Sequence, residues 1–101
     1  MVGVMSEPFF DFVFDLLEEG DLLFLEVALP GVLEPDIDIT LEVNRIVIRA
    51  ERPPARGLSL HREIMRGTLH RDIPLPYAVE LLKSQYEDGV LWLQFKRLEV
   101  R

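Results

Sequence analysis

The chain has no cysteine. That excludes a disulfide framework, a thiolate metal site and a cysteine nucleophile. No apolar run approaches the roughly 20 residues that span a bilayer as a helix. No basic residue precedes an apolar stretch at the N-terminus, so a secretory leader is not expected and a soluble, cytoplasmic protein is. The first 44 residues contain neither Lys nor Arg. A region so acidic repels a phosphate backbone, which argues against nucleic acid as a partner. The motifs G-x-S-x-G and G-x-G-x-x-G and the P-loop pattern are all missing. The chain has two histidines, His61 and His70, nine positions apart with no third ligand type beside them, so neither a metal nor another cofactor is expected. Ser59 and His61 would share a strand face, yet no oxyanion donor or third group accompanies them, so catalysis is not expected.

What is present is a globular composition. At 101 residues, 49% hydrophobic and 29% charged, the chain can build one domain with a modest core. The charge is divided unevenly. Residues 1–44 carry −11 and the remainder +4, for −7 in all. Opposite charges facing each other within one sheet-rich domain account for this, as does an acidic half meeting the basic half of a second copy.

The dominant periodicity is two, the signature of strands. Ile37, Ile39, Leu41 and Val43 alternate with Asp38, Thr40 and Glu42, as a half-buried antiparallel strand requires. Asn44-Arg45 then separates this run from the β-branched Ile46-Val47-Ile48, predicting a tight hairpin with Asn44 at positive φ. Leu23, Leu25, Val27 and Leu29 share the face of an earlier strand, which Pro30-Gly31 ends. Pro53 to Gly57 is a loop by composition. Leu58 to Arg66 is a broken alternation, and Thr68 to Ile73 a strand with Leu69, Arg71 and Ile73 on one face. Leu82–Glu87 and Val90–Phe95 flank Asp88-Gly89, a strong hairpin signal. Phe9 to Leu17 holds four of the six phenylalanines. It fits a strand from about Phe12 better than a helix. Seven to eight short strands and no convincing helix predict an all-β fold, an antiparallel immunoglobulin-like β-sandwich. Several strands are apolar on both faces, more than a two-layer core covers, which points to an interface. Edge strands with unpaired backbone groups point the same way.

Against that background the chain resembles the α-crystallin domain of the small heat-shock proteins from about Pro8 to Lys96. Asp15 stands fifteen residues before Pro30. Ala28-Leu29-Pro30-Gly31-Val32 matches the family's L-P-G-V signature, and Asp36-Ile37-Asp38-Ile39 its D-I-x-V strand start. Ile46 to Arg52 ends in the expected Glu51-Arg52. Glu63, Gly67, Leu69 and Arg71 follow E-R-x-x-G-x-F-x-R, with Ile64 and Leu69 as departures. Leu75-Pro76 is the family L-P, and Ser84 to Leu91 follows A-x-x-x-x-G-V-L, with Ser84 in place of Ala. Lys96 closes the match, preceded by Phe95 where relatives have Pro. The resemblance divides the chain into a short N-terminal arm (1–11), an α-crystallin-type domain (12–96) and a vestigial tail (97–101). Leu98-Glu99-Val100 has the family's I-x-I form, but its spacer is too short to reach another dimer's groove.

The resemblance implies an ATP-independent holdase that binds partly unfolded client proteins through apolar surface and prevents their aggregation. It also implies a homodimer, while the short arm and short tail spacer, departures from the family pattern, argue against larger oligomers. Clients are expected on Phe9, Phe10 and Phe12, and in an edge groove lined by Ile39, Leu41, Val43, Leu82, Ser84 and Tyr86. The family's strand exchange would place Leu58-Ser59-Leu60 of one subunit against Phe12, Phe14, Asp15 and Leu16 of the other. Arg71 would pair across subunits with Asp15 or Glu63. A CS-type co-chaperone adaptor without holdase activity is the competing reading of the same sandwich.

Overall fold

A computed structural model of the chain describes residues 12–54, 56–58, 60–61, 63–64 and 66–98. Seven strands make two antiparallel sheets. The first sheet has the order β1-β2-β7-β6, from β1 (Phe14–Glu19), β2 (Leu22–Ala28), β7 (Val90–Arg97) and β6 (Val79–Glu87). The second has the order β3-β4-β5, from β3 (Ile37–Glu42), β4 (Arg45–Arg52) and β5 (Gly67–Pro74). A 3-10 turn at Glu34–Asp36 carries the chain from one sheet to the other. The expected β-sandwich is therefore the observed one.

The alternating patterns become layers. Leu23, Leu25 and Val27 of β2 and Leu91, Leu93 and Phe95 of β7 point inward. They meet Ile46, Ile48 and Ala50 of β4 and Leu69 and Ile73 of β5. These side chains are buried because each strand of a two-layer domain offers one face to the other sheet. Acidic and basic portions of the chain face each other within the second sheet. Asp38 lies opposite Arg49 and Glu42 opposite Arg45, and the Arg45 guanidinium also reaches Asp72 at 2.8 Å.

Turn chemistry sets the hairpins. Asp88 (φ 54°) and Gly89 (φ 77°) are both left-handed, as the tight β6–β7 turn requires. The β3–β4 hairpin departs from expectation. Its two loop residues are Val43 and Asn44, and Arg45 already belongs to β4. Asn44 is not at positive φ, since Asp88 alone among the described non-glycine residues is. The Asn44 carbonyl instead accepts from Leu75 N–H at 2.8 Å, so a neighbouring segment holds the turn.

Three further expectations need correction. The first strand starts at Phe14, and Phe12 lies ahead of it with 5% of its surface exposed. A core side chain is closed to clients, so Phe12 does not offer the exposed apolar surface expected of it. The sixth strand starts at Val79, three residues before the Leu82 expected. The alternation over 58–66 makes no strand among its described residues. Leu58 and Leu60 are instead 88% and 91% exposed.

Candidate functional site: two open sheet edges

The two sheets leave unequal borders. On one side β1 and β5 are the outermost strands. Arg71 of β5 bridges them, its Nη1 donating to the Phe12 carbonyl at 2.8 Å. Its guanidinium also lies 4.6 Å from the Phe14 ring centroid, a cation–π contact. On the other side β3 and β6 are outermost, and among the described residues no strand pairs with either outer edge.

The residues expected to line an edge groove lie on β3 and β6, the outermost strands of this border. Ile37, Ile39 and Leu41 face the core side of β3 and are half-buried, packed against the core without closing over. On β6, Ser84 and Tyr86 lie opposite Leu93 and Leu91 and so share their inward face. Ser84 is exposed, whereas Tyr86 is half-buried. A register shift between Leu81 and Lys83 bulges Leu82. Leu81 and Leu82 are therefore exposed together, at 40% and 47%. Val43 caps one end of the border and is 72% exposed. Sequence reasoning missed Ile37 and Leu81. The adjacent Leu81-Leu82 pair, which breaks strict alternation, was the available signal for the bulge.

The β6 side of this border is fixed from behind. The Tyr86 hydroxyl donates toward the carbonyls of Leu29 (2.7 Å) and Val32 (2.6 Å), tying β6 to the Pro30-Gly31 turn. Burial pushes its pKa above the ordinary tyrosine value, the main cause being loss of water around the phenolate. Arg52, 8% exposed, donates from Nε to the Pro30 carbonyl at 2.8 Å. Gly31 (φ 84°) sits against that arginine's aliphatic stem. The L-P-G-V segment is thus a clamped turn, with its backbone oxygens taken by Arg52 and Tyr86.

The expected interface residues are partly gathered. Phe12, Phe14 and Arg71 meet at the β1/β5 border, and Leu16 packs half-buried on the core. Asp15 lies on the opposite face of β1, across from Glu26. Glu63 pairs with His61 at 2.7 Å, both exposed. Within one subunit, then, Arg71 engages a backbone oxygen and a ring, and neither of the acids proposed for it. Leu58 and Leu60 lie in the loop after β4 with their side chains in solvent. Phe9, Phe10 and Ser59 lie outside the described residues. Among the described residues no group of acids and histidines is arranged to hold a metal ion, and no helix is long and apolar enough to cross a membrane.

The family model described as Hsp20/alpha crystallin family matches residues 15–101. The chain belongs to that family. It is a small heat-shock protein by fold and by sequence, consistent with a chaperone role. The 18 kDa antigen of Mycobacterium leprae is 34% identical over 86 residues, covering 78% of this chain and 56% of that protein. Spore coat protein P of Bacillus subtilis is 32% identical over 101 residues, covering 90% and 71%. Among solved structures, HSP18.5 from E. histolytica superposes with a TM-score of 0.78 over 89% of this chain and 90% of that one. Its 19% identity makes this a likeness of fold. The chain spans 56%, 60% and 36% of the length of three of its curated relatives.

Proposed function

We propose that this small heat-shock protein is an ATP-independent holdase that binds partly unfolded proteins and prevents their aggregation. The observation that carries this reading is the open β3/β6 border. Two outer strand edges, unpaired by any strand among the described residues, flank half-buried Ile37, Ile39 and Leu41 and exposed Leu81 and Leu82. An extended apolar segment satisfies both needs at once. Its main chain hydrogen-bonds to an edge, and its alternate side chains enter the groove. Apolar burial near ~25 cal/mol per Å2 gives such a contact loose, sequence-tolerant affinity. Ile39, Leu41, Val43, Leu82, Ser84 and Tyr86 are the proposed client contacts, joined by Phe9 and Phe10.

The chain acts as a cytoplasmic homodimer without catalysis, nucleotide, nucleic acid or membrane in this reading. Residues 1–11 form the arm, 12–96 the domain and 97–101 the tail. The dimer uses the β1 border with Phe14, Leu16 and Arg71, and it receives Leu58 and Leu60 from the partner's loop. A client-aggregation assay at stoichiometric ratio without ATP tests the proposal. The intact protein suppresses light scattering, and Leu82→Asp, exposed and therefore compatible with folding, reduces suppression severalfold. Suppression that requires an added partner protein would instead favour a CS-type adaptor.

A further inference from the structure

The two strands of the β3/β6 border differ in charge. From Leu33 to Val43 the chain carries Glu34, Asp36, Asp38 and Glu42 and neither Lys nor Arg. Each of these acids is exposed. β6 presents Lys83 together with Glu80 and Glu87, so its edge is mixed in sign. Most of the chain's bases fall on β4, β5 and the segment joining them, on the inner side of β3. Among the described residues no strand pairs with the outer side of β3.

The pleat gives this edge two kinds of position. Ile37, Ile39 and Leu41 turn to the core side and are half-buried, while Asp38, Thr40 and Glu42 turn outward. On the inner side Asp38 has Arg49 opposite it and Glu42 has Arg45. Glu42 meets Arg45 at 3.5 Å yet keeps 53% of its side chain exposed, and the same guanidinium is shared with Asp72. An ionised carboxylate accepts at both oxygens, so these acids retain acceptor capacity toward the open side. A strand laid on the outer edge brings its side chains about 5 Å from those of β3, beside an aliphatic and an acidic residue in turn. Opposite charges directly across such a pair stabilise it, and like charges destabilise it. Pairing with β3 of a second copy, antiparallel about Thr40, would set Asp38 against Glu42 twice, so the edge rejects its own copy.

We infer that β3 is the receiving edge of the border and that it selects, among partly unfolded proteins, extended segments in which apolar residues alternate with Arg or Lys. Ile37, Ile39 and Leu41 supply apolar contact to one face of the incoming strand. Asp38 and Glu42 set the sign of charge accepted on the other, and Glu34 and Asp36 extend the acidic stretch where the edge begins. The main chain of the segment hydrogen-bonds to the edge whatever its sequence, so charge discriminates among segments of equal apolar content. This rests on the holdase reading and narrows it to a class of client segment.

Dye-labelled peptides with valine at alternate positions and Arg, Gln or Glu at the others test this by fluorescence anisotropy against the intact protein. The Arg peptide is expected to bind about fivefold more tightly than the Gln peptide, and the Glu peptide more weakly than either. Added salt is expected to narrow the differences. Asp38→Asn combined with Glu42→Gln is expected to erase the preference and to leave binding of the Gln peptide unchanged. Glu19→Gln combined with Glu26→Gln removes the same charge from the first sheet and is expected to retain the preference. Equal affinities, or no binding by any of the peptides, overturn the inference. So does a preference that survives the β3 substitutions, or one lost equally in the first-sheet variant, since net charge would then be its source. Binding of the Arg peptide only after removal of residues 98–101 assigns the edge to the chain's own C-terminus and also overturns it. The aggregation assay keeps the two readings apart. Suppression by the parent without a charge ranking among peptides rejects this inference alone, whereas failure to suppress rejects the holdase reading.

Discussion

Tyr86 shows how one hydroxyl couples the groove to the turn behind it. Replacing it with Phe removes the side-chain donor from the Val32 carbonyl and one of two donors from the Leu29 carbonyl, which keeps the Val32 N–H. A loss of about 1 kcal/mol in denaturant unfolding is expected. Its raised pKa fixes the sign of an alkaline effect. Because the neutral form is favoured more in the folded than in the unfolded chain, this contribution is fully present below the ordinary tyrosine value of 10.0. It is lost as pH rises through the folded value. Alkaline unfolding of Tyr86→Phe is therefore expected to depend less steeply on pH above 10 than that of the parent. Arg71 is the other residue with a long reach. Arg71→Ala removes the bond to the Phe12 carbonyl and the contact with the Phe14 ring. Stability is expected to fall by about 1–2 kcal/mol. The proposed dimer, built on the strand that these contacts position, is expected to dissociate more readily. Sedimentation equilibrium with an unchanged dimer constant would reject a role at the interface.

At the scale of elements, the sandwich depends on a few turns that approach one another closely. The β6–β7 hairpin and the Pro30-Gly31 turn touch, with Leu29 N–H donating to the Gly89 carbonyl at 2.7 Å. A Cβ on Gly89 would sit 3.0 Å from Pro30 Cα, a backbone atom that cannot swing aside, and φ there is 77°. Gly89→Ala is expected to lower stability by about 1–3 kcal/mol through backbone strain, seen as a reduced Tm with little change in far-ultraviolet circular dichroism. The β6 bulge works in the opposite sense, since it leaves the strand paired yet turns both Leu81 and Leu82 toward solvent.

At the scale of the whole molecule, the borders are asymmetric in a way that separates the two proposed roles. The β1/β5 border is bridged by the Arg71 side chain, whereas the β3/β6 border is joined at one end by Val79 N–H donating to the Val43 carbonyl at 3.2 Å and its outer strand edges are unpaired among the described residues. Leu58 and Leu60 stand in solvent on a loop, the most exposed leucines among the described residues. Burial of such side chains stabilises by roughly 1.5–3 kcal/mol each, so a partner subunit is the natural destination. Light scattering of the parent is expected to give a mass of at least two chains. Leu58→Ser with Leu60→Ser is expected to lower it by disrupting the strand-exchange contact, while thermal unfolding of the isolated subunit stays cooperative.

The amino-acid pattern alone determined the strands, the Asp88-Gly89 hairpin, the β-sandwich and the family, because alternation and turn chemistry are local constraints that every residue of a half-buried strand obeys. Through the family resemblance it also named Ile39, Leu41, Leu82 and Tyr86, which lie on the outermost strands β3 and β6. Tertiary structure decided the rest. Phe12 is buried, although its neighbours read as an exposed aromatic cluster, because burial depends on what lies across the sandwich from the chain's entry point. Arg71 engages a carbonyl and a ring within the subunit, for the Phe12 carbonyl is 59 residues away in sequence and the Phe14 ring nearly as far. Asn44 needs no left-handed backbone once Leu75 hydrogen-bonds its carbonyl. Leu17 stands beside Phe24, and Glu26 beside Trp92, only through the register of three strands, one of them far along the chain. Each of these is a property of pairs brought together by folding, and composition and spacing within one strand do not contain it.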